Sequence, residues 1–177
     1  MATLHGKNCT LRALEPEDID FLFSTENNEN YWEVSSMQIP YSKYILQKYI
    51  ENAHQDIYEA KQYRFVICNI ENQPIGMIDL FDFNPQHKRV GIGILILPQF
   101  QNKQFASEAL ELIIDYVFTY LDCHQIYANI TEDNFKSISL FEKFNFVKVG
   151  LKKDWVYTNS TFKDEFLYQL IKKTNES

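Results

Sequence analysis

Glycine and proline are both scarce, five of each in 177 residues, which excludes collagen-like repeats and Gly/Pro-rich linkers. Basic residues are also few: 17 Lys and Arg stand against 24 Asp and Glu, for a formal net charge of −7. A general nucleic-acid binder needs clustered cations to neutralise phosphates, so no nucleic-acid partner is expected and a cationic one is mildly favoured. Only three cysteines occur, Cys9, Cys68 and Cys123, odd in number, far apart and without metal-ligand spacing. They read as reduced core residues of a cytoplasmic protein. No apolar run approaches the roughly 20 residues that span a bilayer, and the opening stretch MATLHGKNCT has no apolar leader, so no membrane partner is expected. His5, His54, His87 and His124 stand alone and no His-Glu-x-x-His motif occurs, which leaves a metal site without support. Acyl-enzyme chemistry lacks a paired nucleophile and base.

Aromatic residues are abundant, with 14 Phe and 11 Tyr, and apolar residues make up enough of the chain to fill a core without staples. Without a linker or repeat, residues 1–177 read as one domain. Asn8 to Leu14 reads as a strand. Glu15-Pro16-Glu17-Asp18 opens a helix, with proline and acids in its first turn. Ser42 caps a second helix. Arg64 to Ile70 and Ile75 to Phe83 form a hairpin around Glu71-Asn72-Gln73-Pro74. Arg89 to Leu97 follows, with Val90, Ile92, Ile94 and Ile96 on one face, while Gly91 and Gly93 leave the other open. Gln101 to Leu121 reads as a helix with an apolar stripe of Ala106, Leu110, Ile113, Val117 and Tyr120. His124 to Ile130 is a strand, Asn134 to Phe144 a helix, and Phe146 to Tyr157 and Lys163 to Ile171 are two last strands. The expected fold class is α/β (α+β): a mixed, mostly antiparallel sheet of six or seven strands flanked by helices.

The run ILILPQFQNKQFASEAL (residues 94–110) joins a strand end to a helix start. Backbone N–H groups and the positive end of a dipole converge there, which suits a phosphate or pyrophosphate. Neither a dinucleotide fingerprint nor a Walker loop is present.

Several strings, in this order, resemble the GNAT superfamily of acyl-CoA-dependent N-acetyltransferases: Leu11-Arg12-Ala13-Leu14-Glu15-Pro16-Glu17-Asp18; Pro74-Ile75-Gly76-Met77-Ile78; Gln101-Asn102-Lys103-Gln104-Phe105-Ala106 with Glu108-Ala109-Leu110; and Asn134-Phe135-Lys136-Ser137 through Phe141-Glu142-Lys143-Phe144-Asn145-Phe146. The likeness is strongest to the branch of bacterial spermidine N-acetyltransferases and ribosomal-protein N-terminal acetyltransferases. It implies acetyl-CoA as co-substrate, no metal, and direct transfer to a primary amine, either a small di- or polyamine or a peptide N-terminus. Homo-oligomer formation stays open. A non-catalytic acyl-CoA-binding module is the alternative.

The resemblance implies that the cofactor lies along Ile94, Leu95 and Ile96, where the N–H of Leu95 or Ile96 meets the developing oxyanion. Its pyrophosphate lies on Gln101, Asn102, Lys103, Gln104, Phe105, Ala106 and Ser107. Asn134, Lys136 and Phe141 hold the pantetheine end. Gln104 stands where the family carries glycine, and a helical φ there still offers its N–H. Phe141 stands where many relatives carry a proton-donating Tyr, and Asn145 replaces another common glycine. An attacking amine must first lose a proton, so a carboxylate is wanted. Asp79 and Asp82 fall on opposite faces of a regular strand, which turns one to the cleft. Tyr31, Trp32 and Glu33 occupy the segment where relatives grip substrate. Relatives acting on polyamines carry denser acids there, whereas this chain has Val34-Ser35-Ser36-Met37-Gln38.

Overall fold

A computed structural model describes residues 4–35 and 39–173; Ser36, Met37 and Gln38 lie outside the described residues. The elements run β1 (Cys9–Arg12), α1 (Ile19–Glu26), α2 (Trp32–Ser35), α3 (Lys43–Asn52), α4 (Ile57–Ala60), β2 (Tyr63–Asn69), β3 (Pro74–Asn84) and β4 (Arg89–Ile96). After these come α5 (Phe105–Thr119), β5 (Gln125–Thr131), α6 (Phe135–Lys143), β6 (Val147–Thr158) and β7 (Thr161–Ile171). All seven strands join one sheet in the order β1-β2-β3-β4-β5-β7-β6, with β4 and β5 the parallel pair. The expected fold class holds.

Alternation along the strands divides the core into two layers. Phe65, Ile67, Ile78, Leu80, Val90, Ile92, Ile126 and Ala128 face one way and pack on Leu110, Ile113 and Val117 of α5 and Phe141 of α6. Val66, Cys68 and Met77 face the other way, onto Leu22 of α1 and Leu46 and Ile50 of α3. Each of these large side chains contributes roughly 1.5–3 kcal/mol on burial.

Several expectations change. The first helix is divided, with a 3-10 turn at Pro16–Asp18 before α1. Buried Asp18 explains the break. It accepts from both Arg12 Nη atoms at 2.7 and 2.9 Å and from the Glu15 N–H at 2.8 Å. Burial pushes its carboxyl upward, but these donors outweigh that and hold it below the usual range. The long helix starts at Phe105, not Gln101, and its stripe takes in Ala109 while Tyr120 is half exposed. Gly91 does not leave an open face, because the Phe81 ring lies against it: a Cβ there would meet the ring 2.3 Å away. Gly93 does leave one, with nothing within 4 Å. Strand β3 is not regular, since it bulges between Phe81 and Asn84 with Asp82 at φ 48°. The short helices α2 and α4 were not expected.

Glycine scarcity has a structural counterpart. Among the described residues eleven non-glycine residues have positive φ and no glycine does. Seven of the eleven are Asn or Asp, whose short polar side chains best tolerate that region. The glycines serve close approach instead. A Cβ at Gly76 would sit 2.2 Å from the Leu95 carbonyl oxygen across the ladder. Gly76→Ala should therefore destabilise the fold by about 3 kcal/mol, because backbone cannot yield to it. Gly93→Ala should stay within about 0.5 kcal/mol of wild type. Urea unfolding of both variants checks the contrast, and equal losses would refute it.

Candidate active site

Strands β4 and β5 pair only at Arg89–Gly91 and then part, β4 staying with β3 and β5 with β7. The Leu97 N–H donates to the Ile75 carbonyl at 2.9 Å, which fixes the alternation upstream. Gly93 and Leu95 turn their polar backbone groups to β3. Ile94 and Ile96, beyond the last pair with β5, turn theirs into the gap. Of the two oxyanion donors expected, Leu95 is thus committed to the ladder, and Ile94 joins Ile96 on the open side. The Ile96 carbonyl accepts from Gln101 Nε2 at 3.0 Å, so the N–H groups remain.

A cleft of about 800 Å³ extends from this gap. Ile94, Leu95 and Ile96 line its base. Gln101, Asn102, Gln104, Phe105, Ala106 and Ser107 form one wall, and Asn134 and Lys136 the other, with Tyr31 at the rim. Two expected members lie elsewhere. Lys103 places its ammonium 5.6 Å from the centre of the Phe100 ring. Phe141 is buried behind the cleft.

Gln104 is the N-cap of α5 with φ 66° and ψ 1°, the left-handed region rather than the helical one expected. A glycine adopts it without steric cost, whereas a side chain costs roughly 1–2 kcal/mol. Asn102, at φ 60°, makes the turn before it. The first intrahelical bond runs from the Glu108 N–H to the Gln104 carbonyl at 3.0 Å, so the N–H groups of Phe105, Ala106 and Ser107 have no intrahelical acceptor. Two cations stand beside them. Lys136 Nζ donates to Gln101 Oε1 at 3.0 Å, and Lys143 Nζ donates to Ser107 Oγ at 3.2 Å across the cleft. Lys143 was missed in the sequence, where a last-turn lysine reads as a dipole partner.

Asn134 caps α6, its side-chain oxygen accepting from the Ser137 N–H at 3.2 Å. At the other end of α6, Asn145 adopts φ 65°. Its N–H reaches the Glu142 carbonyl, and the Phe146 N–H reaches the Phe141 carbonyl at 3.1 Å. This is a Schellman cap with Asn in the glycine position. Its hydrophobic contact is Phe141 on Phe146, ring centres 4.9 Å apart and nearly perpendicular. Phe141 is 3% exposed.

Ile94, Asn134 and Ser137 also line a second, smaller chamber of about 80 Å³, which continues the cleft between the parted strands. Gly93, Asn129, Thr131 and Phe141 line it with two carboxylates, Glu33 and Glu165. Each carboxylate holds a lysine. Lys163 Nζ binds Glu33 at 2.6 Å and Asp133 at 2.5 Å, and these bonds raise the Lys163 ammonium above its usual range. Lys152 Nζ binds Glu165 at 2.6 Å and Asn129 Oδ1 at 2.9 Å.

Neither Asp79 nor Asp82 lines cleft or chamber: Asp79 sits in the regular ladder and is taken by Arg64, and Asp82 sits in the bulge, which breaks the two-residue repeat. Asp79 is clamped by Arg64 through Nε at 2.6 Å and Nη2 at 2.7 Å, and Arg64 also pairs with Glu26. Asp82 accepts from the Tyr127 hydroxyl at 3.2 Å; burial, then that carboxylate, push the Tyr127 phenol up to about 12. Trp32 also stays out of the cleft, its indole N–H donating to the Glu26 carbonyl at 3.0 Å. Glu165 carries no local signal; along the chain it reads as a solvated acid on an alternating strand.

Gln104→Gly should stabilise the protein by about 0.5–1 kcal/mol, the left-handed strain relieved less the added freedom of the unfolded chain. Gln104→Ala keeps the strain and should gain nothing. Thermal and urea unfolding of both variants decide the point; a loss on Gln104→Gly would refute this account of the loop.

The Acetyltransferase (GNAT) domain family matches residues 8–147. Spermidine N(1)-acetyltransferase of Vibrio cholerae serotype O1 is 32% identical over 158 residues, 88% of each chain. The Escherichia coli K12 enzyme of the same name is 27% identical over 157 residues, 87% of this chain and 81% of that one. In three dimensions the chain superposes on spermidine N-acetyltransferase from Vibrio cholerae in complex with CoA and spermine with a TM-score of 0.84, at 28% identity, covering 92% of this chain and 95% of that one. Because the family match takes in both parted strands and the helices behind them, well over half of the chain, this protein belongs to the GNAT acetyltransferases.

Proposed function

We propose that this protein transfers the acetyl group of acetyl-CoA to a primary amine of a linear polyamine. The observation that carries this reading is the chamber at the inner end of the cleft. Its carboxylates, Glu33 and Glu165, each already hold an alkyl ammonium, that of Lys163 or Lys152. A lysine ammonium on its methylene stem is the chemical equivalent of one end of a polyamine. A ligand with several such groups replaces the lysines while every carboxylate stays paired, which avoids the cost of an uncompensated charge. Asp133 shares Lys163 with Glu33, and the chain as a whole is acidic. A space of about 80 Å³ suits a methylene chain better than a peptide N-terminus with its side chain. Curated relatives that act on spermidine, and a related structure that contains spermine, support the same class. Three buried free cysteines suit a reducing, cytoplasmic setting.

The fit of acetyl-CoA rests on the cleft itself: about 800 Å³, bare backbone N–H groups at both ends, and two cations at the outer one. Bound there, acetyl-CoA supplies an activated thioester. The N–H groups of Phe105, Ala106 and Ser107, with Lys136 and Lys143, receive its pyrophosphate. Those of Ile94 and Ile96 point where negative charge develops on an acyl oxygen. Asn134 sits where the two spaces meet and orients the chain between them. Glu33 and Glu165 receive the ammonium, orient it and take its proton, leaving a free amine. Phe141 has no proton to give, and a thiol with pKa near about 8.5 leaves as the thiolate without one.

Two outcomes test this. Glu33→Gln and Glu165→Gln should each lower kcat/KM for spermidine by about 10–100-fold, while KM for acetyl-CoA stays within about twofold. Steady-state assays with spermidine, spermine and peptide N-termini check this; turnover of peptides but not polyamines would overturn the substrate class. Lys136→Ala and Lys143→Ala should each weaken CoA binding by about 3–10-fold, less so at high salt. Calorimetry at two ionic strengths measures it, and no change in either variant would remove the lysines from the phosphate site.

A further inference from the structure

At the far end of α5 lies a second cavity, of about 370 Å³, that the transfer reaction does not use. Helix rise places Tyr116 roughly 14 Å along α5 from Ser107, so the two spaces are separate. Its walls are aromatic. The Tyr63 and Phe65 rings lie 4.7 Å apart, Phe65 and Tyr116 5.6 Å, and Tyr116 and Tyr120 5.8 Å and nearly parallel, an unbroken row of rings. Tyr58, from α4, lines the cavity beside Asp56, the residue that caps α4. Tyr58 and Tyr120 are 50% and 52% exposed and stand at the rim.

The charge in this cavity has one sign. Asp56 Oδ1 accepts from the N–H groups of Tyr58 and Glu59 at 2.8 and 3.1 Å, and its second oxygen makes no hydrogen bond among the described residues. Among those residues no Lys, Arg or His lines the space. Aromatic faces are electron-rich, so several of them around one carboxylate attract a cation. The floor is Leu80, which offers a hydrated metal ion nothing. An ammonium wrapped in carbon packs on that floor and presents its charge to the rings at the same time. We propose that this cavity is a second ligand site, one for alkylated ammonium ions, and distinct from the transferase cleft.

The probe is choline, whose quaternary nitrogen carries no N–H and so accepts no acetyl group there, titrated by calorimetry with CoA saturating the cleft. Its neutral isostere, 3,3-dimethylbutan-1-ol, is titrated in parallel. Saturable choline binding is expected, with the isostere weaker by about tenfold or more. Asp56→Asn keeps the capping oxygen and loses the charge; Tyr120→Leu removes a ring at the surface. Neither threatens the fold, and each should weaken choline by about 3–10-fold. Glu33→Gln should leave it unchanged. Absence of saturable binding at roughly 100 mM, equal binding of the isostere, indifference to both cavity variants, or loss on Glu33→Gln would each overturn the proposal.

Discussion

Everything in this molecule turns on the parting of β4 from β5 after three ladder pairs. A strand inside a sheet normally spends its N–H and C=O groups on both neighbours. Ile94 and Ile96 have only one neighbour, and their other edge faces a gap. The split is held open from behind. Val90, Ile92, Ile126 and Ala128 anchor the two strands to α5, and Phe141 of α6 is buried in the same layer. Strand β7 keeps β5 straight on its far side with pairs from Gln125 through Thr131. Burial of this layer outweighs the unused hydrogen bonds, and those unused bonds face the cleft.

A second constraint follows from the shortage of glycine. Acyl-CoA binding at a helix start needs a tight, left-handed approach to the first turn. Gln104 and Asn102 supply it at a cost in strain, and the α5 N-terminus is braced from the opposite direction. Glu108 accepts from the Asn8 N–H at 2.7 Å and its side chain at 2.8 Å, tying the N-terminal segment to the helix. Burial raises the Glu108 carboxyl, but these donors outweigh it and hold it below the usual range. That contribution is present above the unfolded-state pKa and is lost as acid protonates the group.

Much of this was legible in the residues. Alternation marked β2 to β5 to within a residue or two, and the strand–loop–helix run 94–110 pointed at the segment that lines the cleft. What escaped was whatever depends on distant partners. The two-residue repeat set Asp79 and Asp82 on opposite faces, and a bulge at Asp82, invisible in composition, cancelled the argument. Gly91 looked bare, yet the Phe81 ring covers it. Glu165 and Lys143 carry no local signal. Their places are set by the pairing of β6 with β7 and by the approach of α6 to α5.

The acidic surface and the acyl cleft meet at Ile94 and Asn134, and this shared edge orders the chemistry. At the α5 end the fixed charges are Lys136 and Lys143, which suit a phosphate. On the acceptor side Glu33, Glu165 and Asp133 outnumber their two lysine partners. In the proposed reaction a polycation and a polyanion are thus drawn to opposite ends of one continuous space, so neither occupies the other's seat. Ile94, Gly93 and the Phe141 ring form the apolar part of the chamber that also holds Glu33 and Glu165. In the proposed transfer the carboxylates that hold the ammonium also take its proton, and the apolar wall beside them favours the neutral amine that reacts. Phe141 supplies that apolar wall, and its place is fixed by its buried, nearly perpendicular contact with Phe146 at the end of α6.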